Sequence, residues 1–172
     1  MNIILCGFMG CGKTTIGKYL SKMLGYSLTD TDKIIQKKFN MTVSEVFATL
    51  GEQKFRLSET DVLRELLDAD NQVIATGGGL VINPNNIELI NSHRNAVLVY
   101  IDVPLRALQE RLKRDVRRPL LQREDRYEFI ENLHNQRHPI YKSVSKLAVD
   151  GGAPILVVAK RIKKLLLTID KW

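Results

Sequence analysis

Residues 7–17 read GFMGCGKTTIG, and within them Gly7, Gly12, Lys13 and Thr14 satisfy the pattern GxxxxGK[ST]. The pattern directly follows a short apolar stretch, residues 2–6, and opens a segment of helical period through Ile16, Tyr19, Leu20 and Met23. A strand, a glycine-rich loop and a helix in that order make a phosphate cradle. The glycines let backbone N–H groups turn inward around phosphate oxygens, and the positive end of the helix adds a favourable field. Gly10, Cys11, Gly12, Lys13, Thr14 and Thr15 are therefore the candidate ATP-binding residues. Lys13 is expected to reach the β- and γ-phosphates, and the Thr14 hydroxyl to ligate magnesium, Mg2+.

Outward from the cradle, apolar stretches bounded by turn residues alternate with helical periods, the pattern of a parallel sheet flanked by helices in an α/β fold. Strands are predicted at 2–6, 27–30, 72–76, 96–101 and 146–149. Helices are predicted at 12–24, 31–40, 43–49, 53–68, 84–92, 104–114, 124–141 and 154–169. Thr42 and Glu45 have the spacing of a capping box. The 172 residues fit one domain, and no repeat or linker divides them. Pro119 and the charged stretch 115–125 interrupt the helical pattern, so a mobile excursion is expected there.

No apolar run approaches a bilayer span, and Met1 leads into a strand rather than a basic leader, so a cytoplasmic protein without membrane contact is expected. Cys6 and Cys11 read as reduced thiols. Lysine and arginine exceed acids by 26 to 19, a net charge of +7. The basic residues from Arg106 to Arg126 are interleaved with acids and carry no aromatic platform, which favours small phosphorylated ligands over nucleic acid. A nucleotide-dependent RNA-binding protein is the rival from another class, and a monomer is expected.

The acceptor side is read from four blocks. SLTDTD, residues 27–32, places Asp30 and Asp32 two apart at the carboxyl end of a strand, where ligands bind in open α/β sheets. In extended backbone that spacing points both carboxylates the same way, one to serve the metal and one to accept a proton from an attacking hydroxyl. Helix capping is the plainer use of either aspartate. In GEQKFRLSE, residues 51–59, Glu59 stands three after Arg56, either as a surface ion pair or to aim Arg56 at an anionic substrate group. VIATGGG, residues 73–79, ends a strand with Gly77, Gly78 and Gly79, which favours close approach of a ligand to bare backbone. Farther on, Arg118 in RRPLL is placed to close over ATP, and Arg137 in QRHPIY to grip a carboxylate through its planar fork.

In this order and spacing, GFMGCGKTTIG, DTD, GEQKFR, TGGG, RPLL and QRHPIY closely resemble the shikimate kinase family and cover nearly the whole chain. The resemblance implies a nucleoside-monophosphate-kinase-like P-loop fold, with a five-stranded parallel sheet in order 2-3-1-4-5, helices on both sides and a lid at about residues 112–125. It implies a shikimate-binding helical segment at about 31–60, and phosphorylation of the shikimate 3-hydroxyl by ATP on the way to chorismate and the aromatic amino acids. Carried over by position, Asp32, Arg56, Gly77, Gly78, Gly79 and Arg137 would hold shikimate, with Asp32 near the reacting hydroxyl. Thr14 and Asp30 would serve magnesium, with Asp102 as the rival acid. Arg118 would be the lid arginine, Arg111 would stack on adenine, and Pro154 in DGGAP would lie at the adenine segment, where this chain lacks the arginine that some members carry. Lys13, Asp32 and Arg118 form the expected catalytic set. A gluconate kinase would share the cradle and is the nearest enzyme alternative.

Overall fold

The stretch Asn2–Cys6, buried along its whole length, forms the central strand β1 of a computed structural model that describes residues 1–113, 115 and 119–169. The chain continues as α1 (Lys13–Leu24), β2 (Ser27–Asp30), α2 (Thr31–Phe39), α3 (Val43–Leu67), β3 (Gln72–Ala75), α4 (Pro84–Ser92), β4 (Ala96–Asp102), α5 (Leu105–Leu112), α6 (Arg126–Val144), β5 (Leu147–Asp150) and α7 (Ile155–Ile169). All strand pairs are parallel, in the order β2-β3-β1-β4-β5, the expected arrangement. Ile4 lies opposite Ile74 on one side and Leu98 on the other, so β1, β3 and β4 read as nearly continuous apolar runs, as strands covered on both faces must. The neighbours of β1 are reached in opposite chain directions, which opens a crevice at its carboxyl end, where residues 7–12 lie.

Ile3, Ile4, Leu5, Ile16, Leu20, Ile74, Val99 and Ile162 belong to one buried cluster spanning the sheet and its helices. Each such side chain contributes about 1.5–3 kcal/mol by leaving water. Cys6 and Cys11 are free and buried, as reduced thiols, and burial pushes the Cys6 thiol up to about 12. A second, smaller cluster of Ile35, Val46, Phe55 and Val62 joins α2 to α3 and gives that helical segment its own anchorage. The capping box is present: Glu45 N–H donates to Thr42 Oγ1 at 3.2 Å and Thr42 N–H to Glu45 Oε2 at 2.7 Å. Helix α3 breaks at Gly51, whose φ of 81° and ψ of 162° no helix accepts, which is why two helical segments are legible there. Among the described residues no helix is long and apolar enough to cross a membrane.

Candidate active site

Backbone geometry makes the nucleotide side. Gly12, with φ 96°, turns the chain into α1, and the Ile16 N–H closes the first turn on its carbonyl at 2.8 Å. Lys13 folds over the loop and donates from Nζ to the carbonyls of Gly7 at 2.8 Å and Phe8 at 3.1 Å, with Cys11 Sγ at 3.6 Å. Thr14 and Thr15 stand exposed at the head of the helix. Arg111 donates to the carbonyls of Gly10 and Cys11 at 3.5 Å and of Gly151 at 3.2 Å, tying the loop to the segment after β5. Pro154 closes that segment, its carbonyl accepting from the N–H groups of Val157 and Val158. The structure thus brings Gly10, Cys11, Arg111 and the segment leading to Pro154 to one edge of the cradle. Arg118, the expected lid arginine, lies outside the described residues.

The two aspartates of DTD are held differently from the expectation of one extended run. Helix α2 starts at Thr31, so Asp30 ends β2 while Asp32 occupies the first helical turn. The cause is Asp30 itself: its Oδ1 accepts from Lys33 N–H at 3.3 Å and caps the helix. Its Oδ2 accepts from the Thr14 hydroxyl at 2.7 Å, so capping and facing the cradle are compatible uses of one carboxylate. Two adjacent hard oxygen groups at the mouth of the cradle suit magnesium, which takes few protein ligands beside phosphate and water. Asp102 is engaged otherwise, accepting from the Tyr100 hydroxyl at 3.0 Å on Oδ1, with His138 Nε2 3.5 Å from Oδ2. His138 in turn stacks on His134, whose ring meets Phe8 edge-on.

On the acceptor side four chain segments converge. The Glu59 side chain is 1% exposed, and its Oε2 accepts from Arg56 Nη1 at 2.7 Å. Glu52 accepts from the same guanidinium at 3.0 Å, and the rings of Phe47 and Phe55 each lie 5.6 Å from Arg56 Cζ. Burial pushes the Glu59 carboxyl up to about 7; the Arg56 charge opposes this without cancelling it, and Asp32 reinforces it. A Cβ on Gly77 would lie 2.7 Å from Asp32 Oδ1 and 2.8 Å from Glu59 Oε1, and one on Gly79 would lie 2.8 Å from Arg56 Cζ. A side chain at either of these two glycines would displace the charged groups packed on it. At Gly78 a Cβ would make only ordinary contacts, 3.6 Å from Gly7 O and 3.7 Å from Met9 N, which sets the TGGG turn directly against the cradle. Arg137, half-buried on α6, reaches this group through its charge on Glu59.

Sequence reading singled out Asp32, Arg56, Gly77, Gly78, Gly79 and Arg137, and the structure gathers them. Three further residues hold the site and were not singled out. Thr31 Oγ1 accepts from Gly77 N–H at 3.0 Å. Phe47 shares Arg56 with Phe55, and the Tyr141 hydroxyl donates to the Gly78 carbonyl at 2.6 Å. Thr31 and Tyr141 lie inside the quoted motifs, and their membership was the available signal; Phe47 had none. A cleft of about 690 Å³ between α3 and α4, lined by Gln53, Thr60, Asn83 and Glu88, touches this site only at Arg56.

A family profile described as shikimate kinase matches residues 9–166. The shikimate kinase of Caldicellulosiruptor bescii is 44% identical over 142 residues, 83% of this chain and 81% of that one. A solved structure of the shikimate kinase from Acinetobacter baumannii, in complex with shikimate, superposes with a TM-score of 0.91 at 34% identity, covering 99% of this chain and 95% of the other. The deoxyadenosine kinase of M. mycoides, at TM-score 0.60 and 19% identity over 97% of this chain and 100% of that one, shares the fold alone.

Proposed function

The chain belongs to the shikimate kinase family, and on that premise we propose that the cleft between the GFMGCGKT loop and the TGGG turn transfers the γ-phosphate of ATP to the 3-hydroxyl of shikimate. The observation that carries this reading is the convergence at Gly77 and Gly79 of Asp32, Glu59 and Arg56, in a turn whose middle glycine, Gly78, faces Gly7 and Met9 of the cradle. An acceptor with a carboxylate and several hydroxyls meets there two arginines for its charge and a carboxylate for a hydroxyl.

In this mechanism Lys13 leaves the loop carbonyls for the β- and γ-phosphates, and the backbone of residues 10–15 cradles them. Thr14 and Asp30 would hold magnesium, Asp30 through water, and the ion would neutralise phosphate charge. Arg56 and Arg137 bind the acceptor carboxylate, Arg56 being aimed by Glu59. Asp32 orients the attacking hydroxyl and accepts its proton as the phosphorus–oxygen bond forms, while ADP leaves on the opposite side. Arg111 and Pro154 would border the adenine, and Arg118 would neutralise charge from the lid, about residues 112–125. Segment 31–60 carries the acceptor groups on its own small core, and we place the enzyme in the cytoplasm as a monomer that needs no nucleic acid.

The test is ADP release with MgATP in the presence of shikimate, gluconate or a nucleoside monophosphate. Stimulation by shikimate alone is expected; stimulation by another acceptor, or by none, overturns the reading.

A further inference from the structure

Tyr141 is a fully buried polar residue to which the mechanism assigns no part. It lies on α6 one turn after Arg137, its ring tilted against Tyr100 with centroids 5.3 Å apart. The hydroxyl donates to the Gly78 carbonyl at 2.6 Å, and the Arg137 charge acts on the same phenol. The hydroxyl thus joins the TGGG turn to α6, one turn beyond Arg137.

We propose that Tyr141 is a positioning residue for the acceptor, its hydroxyl fixing the Gly78–Gly79 peptide against α6. The inference rests on the functional reading above. A trans peptide unit is planar with its C=O and N–H opposed, so tying the Gly78 carbonyl to α6 turns the Gly79 N–H away from α6. The hydroxyl has one proton to donate, and Gly78 receives it. Burial pushes the phenol well above its ordinary range, so it stays a donor at any working pH. The ring cannot drift, because Tyr100 and the core hold it. Removing the oxygen alone leaves the part-buried Gly78 carbonyl without its donor, a loss that falls on the acceptor pocket and spares the cradle.

Tyr141→Phe keeps the ring and its packing. It is expected to raise the shikimate KM on the order of tenfold while the ATP KM stays within about twofold. Calorimetric titration with shikimate alone is expected to show the same loss of affinity. Tyr100→Phe is the control: it removes the neighbouring buried hydroxyl, which donates to Asp102 instead, and should leave the shikimate KM unchanged. An unchanged shikimate KM in a folded Tyr141→Phe, or equal rises in both KM values, overturns the assignment while the function stands. A wild-type protein whose ADP release ignores shikimate overturns the functional reading and this inference with it.

Discussion

The two halves of the cleft are built by different means. The proposed nucleotide side centres on one contiguous segment, residues 10–15, in which backbone turns lead from the loop into the first turn of α1. The proposed acceptor side draws Asp32 from α2, Arg56 and Glu59 from α3, three glycines from the turn after β3 and Arg137 from α6. Its contacts run largely through side chains, and its charges face one another at partial or full burial. A local geometry is carried by one segment and resists change, whereas a tertiary convergence can be retuned one residue at a time. Acceptor choice is therefore separable from phosphate handling.

If that separation holds, Lys13→Ala gives the largest effect, a loss of about 10²–10³-fold in kcat with little change in the shikimate KM. A variant that altered only the shikimate KM would erase the distinction. Arg137→Ala should raise the shikimate KM about 10- to 100-fold, the range of a lost charge-assisted pair, and leave the ATP KM within about twofold. Equal rises would mean that the two sides share Arg137.

Within the TGGG turn the contrast sharpens. Gly79→Ala drives a methyl to within 2.8 Å of Arg56 Cζ and is expected to raise the shikimate KM by about tenfold. Gly78→Ala, with 3.6 Å to its nearest neighbour, should change it by about twofold or less. Similar losses in both would show that the turn, rather than Arg56, is what the methyl disturbs.

The smallest effect is in pH dependence. Glu59 has a folded value of about 7 against an ordinary 4.5, so the folded state holds its proton more tightly than the unfolded chain does. Its contribution to stability is fully present below about pH 4.5 and is lost as pH rises through about 7. Glu59→Gln should flatten the fall in Tm between about pH 5 and pH 8 by about 2–4 °C. An unchanged slope would show that Glu59 stays ionised throughout.

Most of the architecture was legible because strand burial and helical period are local signals. Gly51 parted two helical segments in the sequence, and it breaks α3 in the structure. Boundaries drifted where tertiary contacts decide them: β3 ends at Ala75 rather than 76, β4 extends to Asp102, and α6 runs through Pro139 to Val144. The junction of strand 27–30 and helix 31–40 was placed correctly, but the extended reading of DTD was not, since Asp30 ends the strand two residues before Asp32 and caps the helix that holds it. The close packing at Gly77 and Gly79 was readable as three adjacent glycines, but the groups that pack there, two carboxylates and a guanidinium, were not. Tyr141 stood inside QRHPIY, but its role was hidden for the same reason, because its partner Gly78 lies 63 residues away.

The central claim, that this cleft joins the γ-phosphate of ATP to an acceptor hydroxyl held beside Asp32, is tested most directly by phosphorus NMR of a reaction with MgATP and shikimate. The account predicts a phosphomonoester resonance that grows in step with ADP and couples to the proton on shikimate C3. ADP accompanied by inorganic phosphate alone, or an ester at another hydroxyl, would contradict it.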